Sequence, residues 1–230
     1  MLLSRLSAVG SAAALIALAV AGNAVAHSVP SAGVVAADVA AHAGHGAAPV
    51  ALEPLAQDCS ASQLQIHNGF QEAPRCVVTE FGEMTTAEKS PTLQIVSAPH
   101  KVKAGEAFQI KVSTRNLVRD RFLAAGQGGY YLESSQLDAS GLIRGHFHTA
   151  CQMVGSAAPT PDRQFDTFVA TEDGKGGAEP DTVTVTIGKG LPTAGEARCA
   201  AWAGDGSHRV PMMQFANQIP AFDSVRIEVK

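Results

Sequence analysis

The sequence has few aromatic and charged residues and lacks two metal-binding motifs, and each of these features argues against a class of protein. Aromatic residues make up 5% of the 230 positions, with one Trp and two Tyr, so no aromatic-lined sugar groove is predicted. Charged residues make up 17% and form no basic block, which argues against a nucleic-acid partner. The sequence contains no H-E-x-x-H motif and no D-x-D-x-D-G loop, so it predicts neither a metalloprotease helix nor an EF-hand.

A long hydrophobic run is also missing, because the one apolar stretch near the N-terminus is short. Arg5 precedes the apolar residues 12–20, and Ala24-Val25-Ala26 then forms an A-x-A cleavage signal. This order is typical of a secretory signal peptide. A bilayer span needs about 20 apolar residues. We therefore interpret residues 1–26 as a signal peptide and expect a secreted protein whose mature chain has no membrane span.

Two regions of different character follow the predicted signal peptide. Residues 27–57 are rich in Ala, Gly and Pro and offer little apolar bulk, so we expect a flexible leader whose only reactive groups are histidines such as His42 and His45. Residues 58–230 are expected to form a single β domain. Removing residues 1–26 takes away one base and no acid, so the formal charge changes from −4 to −5.

Short stretches of alternating polarity, separated by turns rich in Gly and Pro, dominate the region after Asp58. Helical periodicity is nearly absent, apart from turns near residues 117–125 or 212–216. The fold class is therefore all-β, an antiparallel Ig-like β-sandwich of about seven to nine strands. We predict strands near residues 75–81, 92–97, 107–115, 130–133, 142–154, 165–171, 181–187, 197–203 and 224–229.

The segment 142–154, L-I-R-G-H-F-H-T-A-C-Q-M-V, carries most of the information. Its odd positions include Phe147 and Cys151, whereas its even positions include His146 and His148. Successive side chains of a strand point to opposite faces. The pattern therefore predicts one strand with an apolar face toward the core and a polar face, holding both histidines, toward solvent. Alanine at either histidine should then cost no more than about 0.5 kcal/mol.

Four cysteines remain in the predicted mature chain, and none are spaced as C-x-x-C. An even number on an exported chain indicates disulfides. Three pairings are open, of which we favour Cys59–Cys76 and Cys151–Cys199. Cys199 has the parity of core residues on its own strand, as does Cys151, so their bond would join two packed sheets. It would close a loop of about 48 residues and contribute roughly 4 kcal/mol.

Three histidines form a candidate metal site. His146 and His148 are two residues apart on one strand face, about 6–7 Å at Cα. If Cys151 and Cys199 are bonded, His208 lies near the same end. Three imidazoles suit zinc or copper, and Asp205 or Glu133 could add a carboxylate. The alternative is a set of hydrogen-bonded or exposed histidines that orient loops.

Other patterns give weaker candidates. Cleavage after Ala26 would place His27 at the N-terminus, where its amine and imidazole could bind copper as in a copper brace. That arrangement needs a rigidly held first residue, whereas His27 would precede a flexible leader. The phrase W-A-G-D-G-S-H-R contains Ser207 and His208. Because these residues are adjacent on a turn, their side chains cannot readily face each other in a hydrolase triad. The phrase instead predicts a tight turn whose glycines supply unusual backbone angles. The aromatic residues Tyr130, Tyr131 and Trp202 could form a small platform, or they could equally cover the polar face of the strand. Trp202 has the opposite parity to Cys199, which argues against an antibody-type core.

Several phrases resemble known families. The stretch S-A-P-H-K-V-K-A-G-E-A-F-Q-I-K-V, residues 97–112, is similar to the opening strands of bacterial Ig-like domains. The phrases R-G-H-F-H-T-A-C-Q and W-A-G-D-G-S-H-R, with others in residues 117–226, resemble a family of uncharacterised secreted proteins from actinobacteria and filamentous fungi. The resemblance implies an exported β domain and implies no activity.

Two functions fit these features. The first is a secreted, non-catalytic β-sandwich with a binding or structural role. The second is an extracellular copper- or zinc-binding protein, including an oxidoreductase, that uses His146, His148 and His208. No catalytic residue is predicted.

We expect the exported protein to begin at His27, because the apolar run ends in an A-x-A signal. Edman degradation of protein collected from the medium checks this. A secreted chain that still begins at Met1 would show that the run is retained as an anchor.

Overall fold

The structure is a computed structural model that describes residues 54–154 and 165–230. The predicted signal peptide, most of the predicted leader, His27, His42 and His45 lie outside the described residues. Within the described ranges no helix is both long and apolar enough to cross a bilayer. Short 3-10 helices occur at Ala87–Lys89 and Ala125–Gln127. The strands are β1 Thr92–Ser97, β2 Lys101–Val102, β3 Phe108–Arg115, β4 Leu117–Arg119, β5 Ile143–Met153, β6 Thr167–Thr171, β7 Lys175–Gly177, β8 Asp181–Ile187, β9 Gly195–Asp205 and β10 Phe222–Val229.

The strands form two sheets packed around one core, which confirms the predicted all-β sandwich. The smaller sheet has the order β1-β3-β8, and both of its pairings are antiparallel. The larger follows the order β2-β10-β9-β5-β4-β7, and β6 pairs with β5. It includes two short parallel pairings, β2 with β10 and β4 with β5. Inward residues of both sheets meet in the core, among them Ile110, Val112, Val185, Phe147, Ala201 and Ile227.

Strand β5 is the central strand of the larger sheet. It pairs with β9 along one edge, while β4 and β6 share the other edge. Its odd positions face the core as predicted, with Phe147 and Cys151 fully buried. Its even positions are not solvent-facing, because His146 is 0% exposed and His148 only 4%. The prediction of an exposed histidine face is wrong, since segments from elsewhere in the chain cover it.

Both favoured disulfides are present, but each lies in a setting different from the predicted one. Cys151 and Cys199 are register partners on adjacent strands, with Cα atoms 4.0 Å apart. Their bond therefore links β5 covalently to β9 within one sheet and does not join two sheets. Cys59 bonds Cys76 across 17 residues. Cys76 does not belong to a strand and makes only an isolated bridge with Ile66.

Two predicted strands, 75–81 and 130–133, are irregular segments instead. The first is held by isolated contacts, such as the Thr79 hydroxyl donating to the carbonyl of Tyr131 at 2.7 Å. The second contains Tyr131 in the left-handed region, φ 53°, which breaks an extended strand. Alternating apolar residues alone did not distinguish these stretches from paired strands, because a strand also needs a partner edge.

Phe147→Ala should lower the free energy of unfolding by about 3–5 kcal/mol, because the ring is fully buried in the core between the sheets. Phe215→Ala is the matched control, since that ring is half exposed. Urea unfolding of both variants measures the difference. Equal small losses in the two variants would contradict the placement of Phe147 in the core.

Candidate metal centre

The fold brings His146, His148 and His208 together, and we call these residues the three-histidine centre. One ligand atom from each lies within 4.8 Å of the others. The Nε2 atoms of His146 and His148 are 2.8 Å apart. The Nδ1 atom of His208 lies 3.3 Å from the same Nε2 atom of His148. The convergence proposed from the sequence is therefore present in the structure.

Strand pairing places the first two ligands. His146 is the register partner of Gly204 on β9, and His148 is the register partner of Trp202. A Cβ atom on Gly204 would lie 3.2 Å from Nε2 of His146, so the missing side chain makes room for the imidazole. Trp202 lies on the same outer face as the histidines, with its ring 5.0 Å from that of His148. This agrees with the predicted opposite parity of Trp202 and Cys199.

The turn after β9 places the third ligand. The Asp205 carboxylate accepts hydrogen bonds from the backbone N–H groups of Ser207 and Arg209 at 3.0 Å each. His208 itself has the left-handed φ of 71°. Gly204 and Gly206 do not have positive φ, which corrects the prediction that they supply unusual backbone angles. A Cβ atom on Gly206 would lie 1.9 Å from Oε1 of Glu133, so a side chain there would displace the Glu133 carboxylate.

The Ser207 hydroxyl is engaged in backbone hydrogen bonds. It accepts hydrogen bonds from the N–H groups of Leu132 and Glu133 at 3.1 and 2.7 Å, and the residue is fully buried. It ties the irregular segment around residues 131–133 to the turn that carries His208. The arrangement agrees with the expectation that Ser207 and His208 do not form a hydrolase triad.

Backbone carbonyls fix the tautomers of two ligands. His146 Nδ1 lies 3.0 Å from the carbonyl oxygen of Arg121, and His208 Nε2 lies 2.6 Å from that of Leu123. A carbonyl only accepts, so each of these ring nitrogens carries a proton. In neutral rings the opposite nitrogens, Nε2 of His146 and Nδ1 of His208, are then lone-pair acceptors. Both are the nitrogens that converge on His148.

Among the described residues, His148 supplies the only ring proton available to the gap between the three nitrogens. The Nε2 atom of His148 faces the lone pairs of both His146 Nε2 and His208 Nδ1. A single N–H at this position can therefore donate a well-formed hydrogen bond to only one of them. The Nδ1 atom of His148 is buried without a hydrogen-bond partner among the described residues. A metal ion at the gap would take all three lone pairs once the His148 proton moves from Nε2 to Nδ1.

The segment between β4 and residue 133 covers the centre, and the sequence did not indicate this role. The Phe122 ring packs edge-on against those of His146 and His208, at 4.9 and 5.0 Å. Tyr130 stacks on Tyr131 at 4.0 Å and lies 5.8 Å from the ring of His208, so it forms part of the cover. The weak available signal was the phrase R-D-R-F-L, in which apolar Phe122 and Leu123 interrupt charged residues.

The two carboxylates proposed as extra ligands form ion pairs with arginines instead. Asp205 pairs with Arg209 at 2.9 Å. Glu133 accepts from Nε of Arg121 at 2.9 Å. Neither belongs to the group of converging ligand atoms. The group of converging atoms therefore contains three histidine nitrogens and neither of these carboxylates.

Burial keeps the inner histidines neutral. Loss of solvent lowers the pKa of His146 to about 4, although its hydrogen bond to Arg121 opposes the shift. Loss of solvent, with repulsion from His146 and His208, lowers the pKa of His148 to about 3. Both rings are therefore unprotonated at neutral pH, which is the form that binds metal.

Two of the three nitrogen separations match those of ligands to one small transition-metal ion. Two nitrogens at about 2.0–2.1 Å from zinc are roughly 3.3–3.4 Å apart at the tetrahedral angle and roughly 2.9 Å apart at a right angle. The His148–His208 and His146–His148 separations are 3.3 and 2.8 Å, and the nitrogens of His146 and His208 lie within 4.8 Å of each other. Ligand histidines usually donate their second ring nitrogen to a carbonyl or carboxylate, as His146 and His208 do here.

A family comparison covers this region of the chain. Residues 93–230 match the CLU5d N-terminal domain. The chain belongs to this family. All three histidines and the Cys151–Cys199 bond lie inside the matched CLU5d N-terminal domain, whereas Cys59 and Cys76 lie before it.

Solved structures show only distant similarity. The CARDB domain of the PF1109 protein from Pyrococcus furiosus, solved in complex with di-metal ions, is 14% identical with a TM-score of 0.33, covering 61% of this chain and 92% of that one. A β-glucosidase from Listeria innocua is 15% identical with a TM-score of 0.33, covering 61% and 16%. A β-glucosidase from Kluyveromyces marxianus is 14% identical with a TM-score of 0.28, covering 60% and 14%. At these scores the similarities carry no argument about function, and no curated protein matches the sequence.

The metal-free protein should lose stability as the pH falls from about 6.5 toward 4. An unfolded histidine takes up a proton near pH 6.5, whereas His146 and His148 stay neutral in the fold to about pH 4 and 3. The unfolded state therefore binds more protons in this interval. The stability is complete above about pH 6.5 and falls by up to roughly 1.4 kcal/mol per pH unit for each histidine. Urea unfolding at a series of pH values measures the slope.

His148→Gln should reduce this slope by about one histidine's share, and His100→Asn, at an exposed position, is the control substitution. The comparison between variants removes the contribution of carboxylates that titrate in the same range. A His148→Gln slope equal to that of the wild type would show that His148 is not a buried neutral group.

Proposed function

We propose that this protein is an exported, non-catalytic β-sandwich that binds one copper or zinc ion through His146, His148 and His208. The observation that carries the proposal is the pair of backbone carbonyls that direct two lone pairs into one gap. Histidines that merely orient loops have no need for unprotonated nitrogens aimed at one another. This geometry favours metal binding over the alternative in which the histidines only form hydrogen bonds that orient loops.

Burial supports a role without substrate turnover. His146 and His148 are almost fully buried, and only His208 is partly exposed. A surface groove of about 890 Å³ lies elsewhere, lined by residues such as Val78, Phe81 and Arg209, and none of the three histidines lines it. A bulky substrate would not reach the ion, whereas a structural or carrier site requires no such access.

Export is supported by two independent features. Two disulfides are present, and such bonds persist in oxidising compartments. The signal-like segment at residues 1–26 and the resemblance to secreted proteins of actinobacteria and filamentous fungi agree with this location. The N-terminal sequencing described above tests export separately from metal binding.

Metal binding should raise the melting temperature of the wild-type protein, because an ion that binds only the native state stabilises it. The protein is secreted without a polyhistidine tag, stripped with a chelator and titrated with zinc or with copper. His146→Ala, His148→Ala and His208→Ala should each abolish the metal-induced rise and the one-to-one stoichiometry measured by elemental analysis. His100→Ala should retain both.

Gly204→Ala is a sharper variant because it removes no ligand. Its Cβ atom would press on Nε2 of His146, so metal affinity should fall while the strand pairing persists. A wild-type melting temperature that does not change at saturating zinc or copper overturns the proposed function.

An oxidoreductase is the second candidate, favoured by the rings of Trp202 and Tyr130 beside the centre. Such side chains can carry an electron between a buried copper ion and the surface. Oxygen consumption by the copper-loaded protein with ascorbate distinguishes the two functions. A non-catalytic site should consume oxygen more slowly than the same concentration of free copper, whereas sustained faster turnover would favour the enzyme.

A further inference from the structure

The three-histidine centre offers an ion no negative charge. Its ligands are neutral imidazoles, and the converging group includes no carboxylate. A thiolate is also excluded, because all four cysteines are in disulfides. The full charge of a bound ion therefore remains uncompensated by its ligands.

Within residues 54–154 and 165–230, the surroundings do not compensate this charge either. Phe122 packs on two of the ligand rings, and Phe168 and Trp202 each lie 5.0 Å from the ring of His148. The nearby carboxylates of Glu133 and Asp205 are neutralised by Arg121 and Arg209. The site is thus a neutral ligand cage in a largely apolar setting.

Charge burial then discriminates between ions. In the Born description the cost of removing an ion from water grows with the square of its charge, so a divalent ion costs about four times as much as a monovalent ion of the same size. Copper(I) also accepts low coordination numbers, whereas zinc in proteins is four-coordinate and would need a fourth ligand. Three imidazoles are the ligands that this site supplies.

We infer that the three-histidine centre selects copper(I) over zinc and over copper(II). This inference rests on the proposed metal-binding function and adds the identity and oxidation state of the ion. Preferential binding of the reduced ion makes the one-electron step Cu(II) + e⁻ → Cu(I) more favourable in the protein than in water. The reduction potential of the bound couple should therefore be higher than that of aqueous copper.

The affinities of the secreted, untagged protein are measured for each ion separately. Copper(I) is supplied anaerobically with ascorbate as electron donor and competed with bathocuproine disulfonate. Zinc and copper(II) are competed with chromophoric chelators of known affinity. Copper(I) should bind at least about tenfold more tightly than zinc, given the charge dependence of burial. Cyclic voltammetry of the copper-loaded protein should show the raised potential.

A pair of variants tests whether charge is the cause. Phe122→Glu places a carboxylate beside two ligand rings, and Phe122→Gln is its neutral match in size. Phe122→Glu should raise zinc affinity relative to copper(I) by at least about tenfold compared with Phe122→Gln. Equal ratios in the two variants overturn the charge argument. If either variant fails to fold, the wild-type affinity ratio decides.

The outcomes separate this inference from the proposed function. Zinc bound as tightly as copper(I), or more tightly, overturns the selectivity while metal binding stands. Absence of binding for all three ions overturns the proposed function and the selectivity together. Copper(I) bound more tightly, with loss of binding in His208→Ala, supports both.

Discussion

The pairing of β5 with β9 is the constraint on which the rest of the structure depends. The two strands are in register from Gly145 opposite Asp205 to Met153 opposite Ala197. The Cys151–Cys199 bond locks one end of this ladder, and the histidines stand near the other. Because register fixes which face each side chain takes, a slip by one residue would move His146 and His148 into the core and Phe147 out of it.

The covering segments create the centre by excluding water from the outer face of β5. Arg209 anchors them, since its guanidinium pairs with Asp205 and donates to the backbone carbonyls of Glu80 and Glu133. The buried Ser207 hydroxyl holds the same region to the turn after β9. Polar groups that are satisfied in this way tolerate burial, whereas an orphan such as His148 Nδ1 is costly.

A second buried polar network supports the junction of the sheets away from the centre. The fully buried guanidinium of Arg119 on β4 pairs with Asp173 and Asp181 and donates to the Thr114 hydroxyl at 2.8 Å. Breaking one partner of such a network leaves an unpaired buried charge, which destabilises a fold strongly. The network thus fixes β4, and with it the segment that carries Phe122 over the histidines.

Local chemistry along the chain was sufficient to predict the all-β class, most strand positions, the inward face of β5, both cysteine pairs and the three histidines. Alternation of side chains is a property of one strand and can be identified without its neighbours. The burial of the histidines was decided only by the tertiary structure, because covering depends on segments that are distant in sequence. The same holds for the carbonyls of Arg121 and Leu123 that set the tautomers, and for the placement of the Cys151–Cys199 bond within one sheet. Each of these needs a partner about 25 to 85 residues away, and a local pattern contains no information about which partner the fold will supply.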